Sequence, residues 1–414
     1  MHVVIIGNSA AGLSALESFR KYDKDSKVTL ISKEGGVAYS RVLLPYYLRG
    51  KIEHDTFFIR DKKYYENMNV NYIEDEVVSI DDENKTVILK DDSKITFDKL
   101  LIATGSYAIK PPIEGLNEKG VYNMWTLDDV HNIEPYFKKG NRVLVLGSGF
   151  VSLQAAWAAL SKGLEVKVIE LADRIMPNVL DEKGASILSS KMIELGVDLR
   201  VKTLTQKIEK TEKDTFIIHT KDNEPFEVDF IIVGTGVRSH IQLVQQSGIN
   251  TDRGILVNEH METNVKDIYS AGDVAQGPTT FGEKHVIHAL WPTAIEMGKI
   301  AGANLAGKEL VYEGSLNMNT TQMFDITVAS MGKFNDEAGD EVHIFDNDKF
   351  DGYVKVVFED GVVVGATTIG SSSLVPLLGK LRPVIRKKTK VELPPERIWD
   401  YINITLDEAK PINR

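Results

Sequence analysis

Apolar residues in this chain gather in short unbroken runs, several of them closed by a glycine-containing turn and followed by a helical pattern. Val3-Val4-Ile5-Ile6 has no polar break, which predicts a strand buried on both faces. The turn GNSAAG follows from Gly7 to Gly12, and then Leu13, Leu16 and Phe19 fall on one face of a helix. A second copy starts at Asn141. There NRVLVLG predicts a strand ending at Gly147, then the turn Gly147-Ser148-Gly149 and a helix through Leu160. VTLIS, ending at Ser32, and EVKVIE, ending at Glu170, predict the strand after each helix. From about residue 315, TQMFDITVASMG and GYVKVVFEDGVVVGATTIG predict strands, with Glu359-Asp360-Gly361 as a hairpin turn. SSSLVPLLGKLRPVIRKKTK predicts a helical stretch interrupted at Pro383. The most apolar long window, Val143 to Leu160, is broken by Gly147, Gly149 and Gln154. It predicts strand, turn and buried helix, not a membrane span.

Strand, glycine turn and helix together form the setting of a dinucleotide fingerprint. The turn is tight, and the N–H groups at the helix N-terminus face a diphosphate, aided by roughly half a positive charge. In the first copy the candidate positions are Gly7, Ser9, Ala10, Ala11 and Gly12, with Ser9 in place of the middle glycine. In the second they are Gly147, Gly149, Phe150 and Val151. Glu170 follows about 20 residues past Gly147, where an acid takes the ribose diol. It also faces the 2′-phosphate of NADPH. At ~4 Å and an effective dielectric of ~20 that repulsion is on the order of 4 kcal/mol, so NADH is the expected nucleotide. The nearest acid in the first copy is Glu34, either a ribose ligand or a solvated loop acid.

Composition sharpens this picture by exclusion. A chain of 414 residues predicts two or three domains. A net charge of -11 argues against nucleic acid and against a polybasic membrane surface. Zero cysteines leave no disulfide, no catalytic thiolate and no cysteine-ligated cluster within this chain. The N-terminus enters its first strand without a basic region or cleavage site, which predicts a cytoplasmic location. His285 and His288 are spaced i, i+3 with no third ligand, so no metal site is expected.

KLLIATG (Lys99–Gly105), PPIEG (Pro111–Gly115), ELADRIMPNVLD (Glu170–Asp181), DFIIVGTGV (Asp229–Val237) and TNVKDIYSAGDVA (Thr263–Ala275) recur in this order. Together with the two turns they resemble the pyridine nucleotide–disulfide oxidoreductase family, from residue 2 to about 310 and more loosely beyond. The resemblance implies an α/β chain with two Rossmann-like three-layer domains, one for FAD and one for NAD(H), and a small α+β C-terminal domain. By that likeness the FAD domain is discontinuous, 1–112 and 245–314. The NAD domain is 113–244, and an interface domain is 315–414. The resemblance further implies that Val77, Ala103, Thr104, Gly105, Gly272 and Asp273 line the FAD site, with Asp273 on the ribityl chain. Gly236 belongs with the NAD site. Phe150 is either the aromatic that gates the nicotinamide pocket or a core residue. Trp291 either lies near the flavin ring or packs in the core.

The stretch GGVAYSRVLLPYYLRG, Gly35 to Gly50, departs from part of that family. Its LPYY resembles the coenzyme A-disulfide reductases and NADH peroxidases, which carry a redox cysteine where this chain has Val42. Tyr39-Ser40-Arg41 resembles the rubredoxin and ferredoxin reductases and the flavin module of large-subunit nitrite reductases, which use no thiol relay. Gln154 and Trp125 also stand where relatives often have Glu and Arg. Arg41 is either a partner of the FAD diphosphate or a surface arginine.

The implied reaction is hydride transfer from NADH to the flavin N5 across about 3–3.5 Å, then onward transfer without a cysteine. The expected acceptor is a ferredoxin, a rubredoxin or a partner subunit with an iron–sulfur centre. Lys380, Arg382, Arg386, Lys387, Lys388 and Lys390 form either its docking patch or a solvated face. A hydrogen-peroxide-forming NADH oxidase and a flavin-bearing structural subunit are the alternatives. A homodimer or a larger complex is expected.

Overall fold

The computed structural model describes residues 1–281, 285–347, 352–391 and 397–398. Its internal contacts divide the chain into two compact units. The first is Met1–Leu43, Glu53–Tyr107 and Val237–Leu316; the second is Leu44–Ile52, Ala108–Gly236 and Asn317–Arg414.

The first unit is built on a parallel five-stranded sheet. Its spatial order is Ile268–Ser270, Lys99–Ile102, His2–Ile6, Lys27–Ser32 and Val70–Glu74. The predicted all-apolar strand is its centre, with Ile6 paired to Ile31 on one side and Ile102 on the other. Val3, Val4 and Ile5 are fully buried, as a strand covered on both faces requires. The chain leaves this strand in one direction and returns on its other side. That makes the carboxyl end of His2–Ile6 a topological switch point, where such sheets bind ligands. The helix Ala10–Tyr22 follows it and packs against the helix Trp291–Leu305. Two glycines permit the contact. A Cβ at Gly298 would stand 2.3 Å from the carbonyl oxygen of Ala11, and one at Gly302 would stand 2.1 Å from that of Ala15.

The second unit repeats the plan. Its parallel sheet runs Asp198–Arg200, Glu165–Ile169, Arg142–Leu146, Phe230–Val233 and Val121–Tyr122. Arg142–Leu146 occupies the switch point, with Leu146 paired to Ile169 and Val233. The helix Phe150–Ser161 follows, buried along most of its length.

The same unit contains an antiparallel sheet ordered Met318–Met323, Ile326–Gly332, Val362–Gly370, Gly352–Glu359 and Glu341–Asn347. Asp360 and Gly361 alone separate the paired Glu359 and Val362. Their φ values of +50° and +78° are those of the two-residue hairpin turn that matches strand twist. The helix Val375–Arg386 packs on this sheet through Leu377, Leu378, Leu381 and Ile385. Pro383 does not interrupt it, contrary to expectation. The bond that proline forfeits belongs to the carbonyl of Gly379, and both residues are exposed, so that carbonyl is open to solvent rather than buried without a partner. Gly379 also leaves open space where a side chain would crowd the ring.

Candidate functional sites at the two glycine turns

In the first unit, Gly7 has φ +119°. A Cβ there would lie 2.1 Å from the Ala103 carbonyl oxygen, so only glycine turns the chain this closely. At Gly12 a Cβ would lie 1.9 Å from the Gly7 carbonyl oxygen, which fixes how near the helix sits to its own turn. Ser9 is the N-cap, yet its side chain makes no capping bond. The N–H groups of Ala10, Ala11 and Gly12 have no carbonyl one turn earlier to bond, which suits a diphosphate.

Ala103, Thr104 and Gly105 arrive beside this turn: Ala103 donates its N–H to the Ile6 carbonyl at 2.8 Å. Gly105 has φ +68° and open space at its Cα. Thr104 donates to the His240 carbonyl at 3.0 Å. Gly272, at φ +80°, closes the group, since a Cβ there would come 2.9 Å from that of Ala11. Asp273 follows it. Burial pushes its carboxyl above the usual carboxylate range, opposed by the bond from Ser106 and the charge of Arg41. The Ser106 hydroxyl donates to Asp273 Oδ2 at 2.8 Å, and Ser239 donates to its carbonyl at 2.6 Å.

Glu34 accepts from both the Tyr39 hydroxyl and the Arg41 guanidinium. Sequence reading left each of these two charges with its own alternative; the structure joins them. Trp291 opens its helix half-buried and packs against the apolar core of the unit. Val77 lies in a separate three-stranded antiparallel sheet, paired with Leu89. Val42 is 53% exposed. Burial also pushes the His288 imidazole down, with Nδ1 2.7 Å from the Ser315 hydroxyl. Among the described residues no three His, Asp or Glu gather as metal ligands.

In the second unit, Gly147 has φ +95° and a Cβ would stand 2.5 Å from the Gly234 carbonyl oxygen. Gly149 is the helix N-cap, exposed, with open space at its Cα where a ligand backbone would approach. Phe150 and Val151 form the first turn of the helix and are half-exposed. Gly236, at φ +108°, is exposed on the loop after Phe230–Val233.

Glu170 stands at the end of its strand with both oxygens engaged. Ser148 Oγ donates to Oε2 at 2.6 Å, and the Ala172 N–H donates to Oε1 at 2.7 Å. Three residues here escaped sequence reading. Ser148 is one. Ser152 is another: it is buried and donates to the Gly234 carbonyl at 2.8 Å, where the fingerprint has its third glycine. The third is Gly234 itself, whose Cβ would collide with Ser152 Oγ at 2.1 Å. Only the spacing of the fingerprint signalled Ser152.

Gln154 is buried and donates through Nε2 to Thr321 and to the Gln322 carbonyl, while its Oε1 has no partner. In the C-terminal segment, Lys380, Lys387, Lys388 and Lys390 are exposed, and Arg382 and Arg386 are half-buried. None of them is among the helix residues that pack inward.

Two switch points with glycine turns, each followed by an uncapped helix, are the geometry of two dinucleotide sites. Residues 1–298 match the family described as pyridine nucleotide-disulphide oxidoreductase. The chain belongs to that family. Residues 318–389 match the rubredoxin NAD+ reductase C-terminal domain. The chain is 28% identical to an NADH oxidase of Methanocaldococcus jannaschii, over 95% of this chain and 92% of that protein. It is 26% identical to the NADH-rubredoxin oxidoreductase of Clostridium acetobutylicum, over 91% of this chain and 93% of that protein. Among solved structures, an NAD-dependent persulfide reductase from A. fulgidus superposes with a TM-score of 0.87 at 26% identity. The match covers 95% of this chain and 79% of that one. Membership makes the chain an oxidoreductase of mixed α/β fold whose cofactors are FAD and NAD(H). The residues present fit both: each turn offers free N–H groups, a glycine-lined approach and an acid nearby. Among the described residues, no helix is long and apolar enough to cross a membrane.

Proposed function

We propose that this flavoprotein passes electrons between NAD(H) and a separate protein bearing an iron–sulfur centre, with no thiol in between. The observation that carries the reading is the absence of cysteine from all 414 residues, with an exposed valine at the relay position, Val42. The likeness of residues 318–389 to a rubredoxin reductase domain supports the choice of acceptor. The domain division proposed is FAD on 1–112 and 245–314, NAD on 113–244, and an interface domain on 315–414.

Bound FAD supplies the chemistry, since a flavin accepts two electrons from a nicotinamide and releases them singly. The chain supplies position and charge. Gly7, Ser9, Ala10, Ala11 and Gly12 hold the FAD diphosphate through backbone N–H groups. Val77, Ala103, Thr104, Gly105, Gly272 and Trp291 line the rest, and Asp273 hydrogen-bonds the ribityl chain. The Glu34–Arg41 pair places a planar cation beside that site, and its charge reaches Asp273. Gly147, Gly149, Phe150, Val151 and Gly236 take the second dinucleotide, and Glu170 accepts the ribose hydroxyls of NADH.

Anaerobic titration with NADH tests the reading. Full bleaching of the flavin absorbance by one equivalent, with no thiolate band, is expected, followed by fast reoxidation by a rubredoxin or ferredoxin. A protein that is bleached but reacts only with oxygen, giving hydrogen peroxide, would favour an oxidase instead. The likeness to an NADH oxidase motivates that second reading. Water as the main product would overturn the account of Val42.

A further inference from the structure

The serine inside the second glycine turn uses its hydroxyl in one definite direction. Ser148 is 1% exposed. Met176 donates its N–H to Ser148 Oγ at 3.2 Å, which occupies that oxygen as an acceptor. The hydroxyl proton therefore goes to Glu170 Oε2, 2.6 Å away. The Ala172 N–H holds Oε1 at 2.7 Å. A half-exposed glutamate otherwise samples several rotamers and loses that freedom on binding. Held at both oxygens, this carboxylate still has a lone pair free on each.

We infer that Ser148 is a positioning residue for nucleotide choice. It locks the Glu170 carboxylate in the orientation that accepts both ribose hydroxyls of NADH and repels a 2′-phosphate. The inference rests on the reading of Glu170 given above. It also couples the two ends of the site, because the turn that faces the diphosphate orients the acid that reads the ribose.

Ser148→Ala tests this cleanly. Met176 keeps a second acceptor, the Ser148 carbonyl at 3.3 Å, so the loop between Glu170 and Met176 retains its anchor. With the FAD-loaded protein and an uncharged quinone as acceptor, the KM for NADH should rise roughly five- to tenfold, the net scale of one ordinary hydrogen bond, since Ser148 acts on NADH only through Glu170. The effect should fall on KM and not on kcat, and the KM for NADPH should stay level or drop. Added to Glu170→Gln, the same change should do nothing further. If Glu170→Gln alone leaves the KM for NADH untouched, the reading of Glu170 falls and this inference with it. If Glu170→Gln weakens NADH but Ser148→Ala does not, only the role of Ser148 is overturned. Equal losses for NADH and NADPH in Ser148→Ala would mark a purely structural serine and overturn it too.

Discussion

At the scale of single residues, the two candidate sites are shaped by what glycine omits and by how the Glu170 carboxylate is held at both oxygens. Glu170→Arg removes the charge that opposes a 2′-phosphate and substitutes a fork that binds one. The ratio of kcat/KM for NADPH to that for NADH should rise at least about tenfold, a fraction of the on-the-order-of 4 kcal/mol repulsion it relieves. Steady-state kinetics with both nucleotides checks this; an unchanged ratio would remove Glu170 from the site. Gly7→Ala makes a complementary test in the first unit. The new methyl would meet the Ala103 carbonyl at 2.1 Å in a backbone conformation of φ +119°. The purified protein should contain little FAD while the second unit still binds NADH. These residues were legible in sequence as candidates, because a turn that must bend sharply and an acid at a strand end leave a local pattern. Ser148 was not legible, and Ser152 was marked only by its place in the fingerprint. Their work is a hydrogen bond to a strand end 22 and 82 residues away, and no local period records it.

Elements show a similar divide between what the pattern announces and what packing adds. The inner strands of both parallel sheets follow from apolar runs, whereas edge strands such as Asp198–Arg200 carry none, and the hairpin at Asp360-Gly361 follows from turn chemistry. The close pairing of the helices Ala10–Tyr22 and Trp291–Leu305 was hidden, because Gly298 and Gly302 carry information only once the facing carbonyls are known. Gly302→Ala should cost roughly 1–3 kcal/mol, the usual penalty for overpacking, and lower the melting temperature measurably. Lys355 was equally hidden. It is 1% exposed on a strand of the antiparallel sheet, and its ammonium bonds Asp181 at 2.9 Å, Asp336 at 2.8 Å and the Phe334 carbonyl at 3.0 Å. Asp181 in turn caps the helix Glu182–Glu194 and accepts from Tyr353. Burial alone would raise its carboxyl, but the bonds from Lys355, Tyr353 and Gly184 hold it below the ordinary value. A carboxylate depressed on folding contributes stability that is full above its unfolded value and is lost as pH falls through the folded one. Chemical denaturation should therefore show this contribution intact at neutral pH and fading below about pH 4. Lys355→Met should cost roughly 3–5 kcal/mol at neutral pH by stranding Asp181, and should flatten the acid decline.

For the whole molecule the telling quantity is the distribution of charge. A chain of net charge -11 repels an acidic protein on average, yet it gathers six cations between Lys380 and Lys390. Four of these are exposed, Lys380 on and the others just past a helix whose apolar face is already committed to the sheet beneath it. An acidic iron–sulfur protein would thus be attracted to one patch and turned away elsewhere, which favours a single docking orientation. Such attraction acts on the rate of encounter and over a Debye length of about 10 Å at 0.1 M salt. Replacing Lys380, Lys387 and Lys390 with Gln removes charge at three exposed positions. At low salt the second-order rate of reduction of an acidic ferredoxin or rubredoxin should fall about tenfold. Near 1 M salt, where the Debye length is about 3 Å, the variant and the parent should converge. Reduction of an uncharged quinone should be the same in both at every salt concentration. Equal slowing with quinone and protein would mean that the substitutions damaged the fold. A protein rate that is unchanged at low salt would return the patch to a solvated face.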